Sequence, residues 1–168
     1  MIKRAAIILA GGKAKRFQTT TQDKWQDKAL AELDGKPLLV HAIENIQDIV
    51  EEIIVVVNEN QIRKVQYQNV LQKYCVKKAK IVIDLEIKNL SGPLIAILTG
   101  LKLAKADYCI TIPCDVPMLN PKVAEYLFDI INGSLVAVPM WPNGRLETLL
   151  LVLERKSTLE IATVLSQL

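Results

Sequence analysis

Histidine is almost absent from this chain: His41 is the only one among its 168 residues. Histidine is the side chain best suited to acid–base catalysis near neutral pH, so a single copy argues against a Ser-His-Asp triad and against a zinc site. His41 lies in the apolar stretch 38–43, whose spacing is helical. We therefore expect a structural role for His41 and a chemistry that needs no histidine base.

Cysteine is also scarce. Cys75, Cys109 and Cys114 are odd in number and lack the C-x-x-C spacing of redox and metal motifs. We expect reduced, mostly buried thiols, as in a cytoplasmic protein.

Long apolar runs are missing as well. No segment reaches the length of a membrane span, and Met1–Arg4 leads directly into an apolar strand without a signal-peptide pattern. The net charge of +3 is too small to indicate a nucleic-acid partner by itself. With 51% hydrophobic and 23% charged residues, the composition is that of a globular protein. We expect one domain over residues 1–168, with neither a membrane nor a nucleic-acid partner.

Short apolar runs alternate with helical patterns along most of the chain. Strands are predicted at Ala5–Leu9, Ile53–Val57, Lys80–Asp84 and Tyr108–Pro113, and helices at Lys36–Ile49, Gln61–Tyr74, Leu94–Ala104 and Pro121–Ile131. This alternation predicts an α/β fold with a doubly wound, mostly parallel sheet. Afterwards two strand-like runs, Ser134–Pro139 and Glu147–Leu153, flank an Asn-Gly hairpin signal, and Ser157–Leu168 is predicted as a terminal helix.

A glycine-rich, basic segment follows the first strand. It contains Gly11, Gly12, Lys13, Lys15 and Arg16. Glycines let a backbone approach phosphates closely, and the cations match a polyphosphate. The segment is not a dinucleotide fingerprint, which needs further glycines, and not a Walker A loop, which needs Ser or Thr after the lysine. The alternative is a flexible glycine turn beside a solvated basic stretch.

Polar residues also follow the other predicted parallel strands. Asn58, Asp84 and Asp115 come after the second, third and fourth strands, and Ser91-Gly92-Pro93-Leu94 enters a helix. Ligands of such sheets bind at the carboxyl ends of the strands. Asp115, flanked by two prolines, suits a Mg²⁺ ion that bridges to triphosphate oxygens, or alternatively the cap of the next helix.

Together these segments resemble the molybdenum cofactor guanylyltransferases, the MobA-type nucleotidyltransferases. The matching motifs are Leu9-Ala10-Gly11-Gly12-Lys13-Ala14-Lys15-Arg16, Asp27-Lys28-Ala29-Leu30, Gly35-Lys36-Pro37-Leu38, Val56-Val57-Asn58, Ser91-Gly92-Pro93-Leu94 and Pro113-Cys114-Asp115-Val116-Pro117. They stand in the family's order and cover residues 5 to about 153. The resemblance implies a Rossmann-like fold of the nucleotide-diphospho-sugar transferase type, with a C-terminal antiparallel hairpin.

The resemblance also implies a reaction and a site. The terminal phosphate of molybdopterin would attack the α-phosphorus of GTP, forming a guanine dinucleotide cofactor and pyrophosphate with Mg²⁺ as cofactor. Catalysis is expected from Lys28, Arg16 and Asp115, of which Asp115 would bind the metal. The residues expected to bind the nucleotide are Leu9, Ala10, Gly11, Gly12, Lys13, Lys28, Asn58, Asp84, Gly92, Pro93 and Leu94. Proteins of the cofactor pathway are further candidate partners.

Two of the chain's departures from the family pattern bear most on the site. Arg16 is followed by Phe17-Gln18 where the family has Met-Gly, and the family's Asn-x-Asn-Thr-Pro-x-Asp segment has no counterpart before Leu168. We expect the nucleotide half of the site to be intact and acceptor binding to be weak. Two alternatives stay open: a related transferase using CTP or another acceptor, and a non-catalytic nucleotide-binding protein.

Overall fold

The computed structural model describes residues 2–11, 27–58, 61–86 and 92–165. The strands are β1 (Arg4–Leu9), β2 (Glu32–Leu33), β3 (Lys36–Pro37), β4 (Glu52–Val57), β5 (Ala79–Ile83), β6 (Tyr108–Pro113), β7 (Val136–Ala137) and β8 (Leu151–Glu154). The helices are α1 (Leu38–Glu44), α2 (Gln61–Lys73), α3 (Pro93–Leu103), α4 (Pro121–Ile130) and α5 (Arg155–Leu165), and Lys28–Leu30 forms a 3₁₀ turn.

Within these residues six strands form one sheet in the order β5-β4-β1-β6-β8-β7. The first four are parallel, while β8 is antiparallel to both β6 and β7. The predicted doubly wound α/β sheet with a C-terminal antiparallel pair is therefore confirmed. The chain runs outward from β1 to β5 and then returns to β6, so the topological switch point lies between β1 and β6.

Strand β1 shows why both faces of the sheet are covered. Ala5 and Ile7 point into one core cluster with Leu101 of α3, whereas Ala6 and Ile8 point into the other with Leu39 of α1. Side chains alternate along a strand, so a continuous apolar run needs a helix layer on each side. Burial of the strand on both faces fixes its register and therefore the position of the residues that follow it.

The structure corrects the predicted helix at Lys36–Ile49. The helix covers only Leu38–Glu44, while β3 pairs with β2 around a turn at Asp34 and Gly35. Both turn residues have positive φ, 52° and 74°, as a type I′ turn requires. The Asp-Gly pair was thus a hairpin signal that the sequence analysis missed.

The predicted C-terminal hairpin is present with shorter strands. Val136 pairs with Leu153 and Ala137 with Val152, and an isolated bridge joins Met140 to Leu146 around the predicted turn. Prolines have no backbone N–H to donate, and Pro139 and Pro142 lie in this connection. None of the described helices is long and apolar enough to cross a membrane.

Candidate functional site

The sequence-predicted site residues lie where the parallel strands end. Strand β1 leads to Gly11, β4 to Asn58, β5 to Asp84 and β6 to Asp115. These four strands are adjacent and parallel, so the four residues share one edge of the sheet. Gly11 and Asp115 flank the switch point, where open α/β sheets bind their ligands.

An ion pair joins the two sides of this edge. The Lys28 ammonium lies against Asp115 Oδ2, and the two side chains are 36% and 37% exposed. From the sequence, Lys28 was expected to bind phosphate and Asp115 a metal ion, but their contact with each other was not predicted. Partial exposure leaves both groups accessible to a ligand arriving from solvent.

Two contacts fix the loop that carries Asp115. The backbone N–H of Cys114 donates to the Leu9 carbonyl at 3.2 Å, and Asn45 Nδ2 donates to the Pro117 carbonyl at 2.8 Å. Asn45 lies just beyond α1, and sequence reasoning did not identify it as part of the site. Burial, followed by the nearby charges of Asp115 and Asp27, raises the pKa of Cys114 to about 12. The thiol therefore stays neutral beside the ion pair.

Gly11 is required by the protein's own backbone. A Cβ atom at this position would lie 2.8 Å from the Asn58 backbone nitrogen and 3.3 Å from the Val57 carbonyl carbon. The loops after β1 and β4 therefore approach each other too closely for any side chain at position 11. This reason was not apparent from the sequence, where only the approach of a phosphate was considered.

Lys28 is positioned by the residue before it. Asp27 Oδ1 accepts a hydrogen bond from the Ala29 N–H at 3.1 Å and caps the 3₁₀ turn that carries Lys28. The Tyr67 hydroxyl of α2 lies 3.0 Å from the same Asp27 oxygen and 3.1 Å from the Ala10 carbonyl oxygen. Tyr67 was part of a helical pattern in the sequence, with no signal of its own for a role at the site.

The entry to α3 completes the described part of the edge. Gly92 has φ +85°, a conformation that favours glycine, and Pro93 occupies the first turn. The Leu85 N–H, just beyond Asp84, donates to Thr99 Oγ1 at 3.0 Å and ties the end of β5 to α3. Leu94 is half exposed.

Other sequence expectations have mixed outcomes. Gly12, Lys13, Lys15, Arg16 and Ser91 lie outside the described residues. His41 Nε2 lies 2.9 Å from the Leu33 carbonyl oxygen, which confirms a structural contact. Cys109 and Cys114 are buried free thiols as expected, whereas Cys75 is free but exposed.

The carboxylate of Asp115 fits the chemistry of a divalent cation that arrives with a nucleotide. Among residues 2–11, 27–58, 61–86 and 92–165, no group of three or more metal-binding side chains could hold an ion by protein ligands alone. Mg²⁺ typically binds through one or two carboxylates together with substrate phosphates. Asp115 has a carboxylate of this kind, and Lys28 beside it carries a positive charge.

Comparison with known proteins gives consistent results. The family profile described as the MobA-like NTP transferase domain matches residues 6–167. A probable molybdenum cofactor guanylyltransferase of Methanosarcina acetivorans is 33% identical over 159 residues, covering 94% of this chain and 67% of the relative. The molybdenum cofactor guanylyltransferase of Shewanella putrefaciens is 33% identical over 152 residues, covering 90% and 69%.

The structural comparison concerns the fold. The crystal structure of molybdopterin-guanine dinucleotide biosynthesis protein A from Archaeoglobus fulgidus has a TM-score of 0.65 and 20% sequence identity, covering 96% of this chain and 73% of that chain. At this identity the likeness supports the same sheet architecture.

Proposed function

This chain belongs to the family of MobA-like NTP transferase domains, and from that membership we propose that it transfers GMP from GTP to the terminal phosphate of molybdopterin. A phosphate oxygen of the acceptor attacks the α-phosphorus of GTP. The bond from this phosphorus to the bridging oxygen of the β-phosphate breaks, and pyrophosphate leaves with the electron pair. The product is a guanine dinucleotide form of the cofactor.

The observation that carries the proposal is the Lys28–Asp115 pair at the switch point. Joining two polyanions requires charge neutralisation and in-line positioning. The attacking phosphate oxygen is already ionised at neutral pH, so no general base is needed. Because Lys28 and Asp115 lie side by side, the ammonium group would be available for the phosphates and the carboxylate for a cation.

We assign Asp115 as the ligand of the cation and the cation as Mg²⁺. A divalent cation bound there would neutralise triphosphate charge and polarise the phosphoryl group under attack. In the protein itself, Asp115 would exchange its contact with Lys28 for the cation, and Lys28 would turn to a phosphate oxygen. The ion pair would thus hold both groups in place until the nucleotide arrives.

The width of the sheet edge suits an extended nucleotide. Asp84 follows β5 and Asp115 follows β6, three strand positions away, and adjacent strands lie about 4.8 Å apart. The phosphates would lie at Lys28 and Asp115, with the nucleoside extending toward Asn58 and Asp84. The other nucleotide-binding assignments belong to this proposal: Leu9, Ala10, Gly11, Gly12, Lys13, Gly92, Pro93 and Leu94, with Arg16 beside the phosphates.

We also propose the substrates, the domain organisation, the cellular compartment and the partner proteins. The substrates are GTP and molybdopterin, residues 1–168 act as one nucleotidyltransferase domain, and the reaction takes place in the cytoplasm with other proteins of the cofactor pathway as partners.

A nucleotide panel tests the base preference and the metal requirement together. GTP, CTP, ATP and UTP are each added with and without Mg²⁺, and the midpoint of thermal unfolding is measured. A ligand that binds only the folded state raises this midpoint with its concentration. We expect the largest increase with GTP and Mg²⁺. A larger increase with CTP would contradict the guanylyl assignment, and no increase with any nucleotide would contradict nucleotidyl transfer.

A further inference from the structure

One buried hydroxyl connects two separate parts of the nucleotide edge. Tyr67 is fully buried on α2, and its hydroxyl oxygen lies 3.1 Å from the Ala10 carbonyl oxygen and 3.0 Å from Asp27 Oδ1. Ala10 directly follows β1, and both Ala10 and Asp27 are buried. The phenol has a single O–H, which these two acceptors share. Because the acceptors are well separated in sequence, the tyrosine brings them together through tertiary structure.

In the sequence, Ala10 and Asp27 stand at the two ends of the basic segment. Ala10 precedes Gly11, and Asp27 precedes Lys28. The Asp27 oxygen that faces the Tyr67 hydroxyl also accepts the Ala29 N–H at 3.1 Å and so caps the turn that carries Lys28. A displacement of Asp27 would therefore be transmitted to the Lys28 ammonium.

The ring makes the hydroxyl a rigid anchor. Tyr67 packs in the main core cluster with Leu39, Ile43 and Leu71. The ring is fully buried and a phenol has only two χ angles, so packing leaves its oxygen little freedom to shift. A side chain locked by packing is the kind of support that holds a binding group in its working geometry.

We propose that Tyr67 is a positioning residue for nucleotide binding: its hydroxyl fixes Ala10 and Asp27 relative to each other and thereby sets Lys28 opposite Asp115. This assignment rests on the proposed function, because it presumes that Lys28 binds a phosphate. Tyr67 itself contacts no substrate. Its effect on the nucleotide is indirect, through the capped turn and the end of β1.

The test compares two tyrosine-to-phenylalanine variants. Tyr67→Phe removes the bridging hydroxyl and keeps the ring. Tyr74→Phe is the control. Tyr74 lies just beyond the same helix, and its hydroxyl donates to the Gly35 carbonyl at 3.2 Å, away from Ala10 and Asp27. The measurements are the Kd for GTP with Mg²⁺ by calorimetry, the KM and kcat, and the midpoint of thermal unfolding.

We expect Tyr67→Phe to raise the Kd and KM for GTP roughly fivefold to tenfold, with kcat changed much less, because the lost contact acts in ground state and transition state alike. Tyr74→Phe should leave Kd and KM unchanged. Equal loss of thermal stability in both variants with an unchanged Kd would overturn the positioning role. Wild-type protein that binds no nucleotide would instead overturn the proposed function.

Asp27→Ser gives a second way to cut the link. Serine caps a helical turn well, but its shorter side chain withdraws from the Tyr67 hydroxyl. We expect a similar rise in the Kd for GTP, and little further rise when Tyr67→Phe is added, because both changes break one connection. Fully additive effects in the double variant would contradict the proposal. If Tyr67→Phe fails to fold, Asp27→Ser alone decides the matter, because an unchanged Kd for GTP in folded Asp27→Ser would overturn the proposal.

Discussion

Lys28 and Asp115 are far apart in sequence, and each was predicted as a site residue for a separate reason. The position of Asp115 after β6 follows from the order of elements, because parallel strands bring their carboxyl ends to one edge. Its contact with Lys28 does not, since that contact depends on how the turn at Lys28–Leu30 is held. For the same reason Tyr67 and Asn45, which act through tertiary contacts alone, could not be identified from the sequence.

Replacing Lys28 tests its role in phosphate binding. We expect Lys28→Ala to weaken GTP binding about 10–100-fold, the range for losing a hydrogen bond to a charged group. Stability should change by less than about 1 kcal/mol, because the ion pair with Asp115 is partly exposed. Calorimetry and urea unfolding measure the two effects.

The control for this variant is Lys80→Ala. Lys80 pairs with Glu52 at 3.3 Å, near the start of β4 and therefore away from the carboxyl edge. The Lys80→Ala variant should be destabilised about as much as Lys28→Ala and should keep full affinity for GTP. Wild-type affinity in folded Lys28→Ala would contradict the assignment of Lys28.

Replacing Asp115 tests its role in metal binding. The alternative role as cap of the next helix is wrong, because Asn120 caps α4 by accepting the Lys122 N–H at 3.0 Å. Asp115→Asn keeps the shape of the side chain but loses the charge that attracts a cation. We expect most Mg²⁺-dependent pyrophosphate release to be lost, while the fold is retained.

Asp129→Asn is the matched control. Asp129→Asn breaks the 3.2 Å ion pair between Asp129 and Arg4. Arg4 lies at the opposite edge of the sheet, so the variant should keep full activity. If Asp115→Asn released pyrophosphate at the wild-type rate, the metal would have to be bound elsewhere.

At the scale of elements, the core strands and their helices were predictable and the turns between them less so. The apolar runs of β1, β4 and β6 gave strands within one residue of the observed limits, because burial on both faces demands continuous apolar sequence. The β2–β3 pair was missed, since its two short strands are mostly polar and only Asp34 and Gly35 mark the turn.

The contact of α3 with β1 depends on a glycine inside the helix. A Cβ atom at Gly100 would lie 2.4–2.8 Å from three side-chain carbons of Ile7. We expect Gly100→Ala to lower the free energy of unfolding by about 1–3 kcal/mol, the usual cost of overpacking. Combining it with Ile7→Val should recover part of the loss. Unchanged stability of Gly100→Ala in urea would contradict this packing.

The start of α5 gives a prediction about pH. Partial burial of Glu154 acts to raise its pKa, but hydrogen bonds from Ser157 and Lys156 and the charge of Arg155 outweigh it, so the pKa is lowered. The two backbone N–H groups lie 2.7 and 3.0 Å from its carboxylate oxygens. This contribution to stability is complete above the unfolded pKa and disappears as pH falls through the lower folded pKa.

Glu154→Gln should therefore destabilise the protein more at pH 7 than at about pH 3, as measured by urea unfolding at both values. Glu160→Gln, on the exposed side of the same helix, is the control and should be neutral at both. A destabilisation of equal size at both pH values would contradict the charge-dependent cap.

At the scale of the whole molecule, the fold places a carboxylate and an ammonium group together at the switch point. Under the proposed function, catalysis would rest on charge and positioning. This arrangement explains how a chain with one histidine, itself occupied by the Leu33 carbonyl, could serve a transferase family. The motif order was sufficient to predict the family. The supporting contacts around Asp27 required the folded chain, because they join α2 to the ends of two distant segments.

Formation of the dinucleotide tests the central claim most directly. The protein is incubated with GTP, Mg²⁺ and molybdopterin, and the products are analysed by mass spectrometry alongside a pyrophosphate assay. We predict a guanine dinucleotide of molybdopterin and an equal amount of pyrophosphate with the wild-type protein, and neither above background with Asp115→Asn. If the wild-type protein binds GTP but forms no dinucleotide, or forms one only from another nucleotide, the proposed guanylyl transfer is wrong.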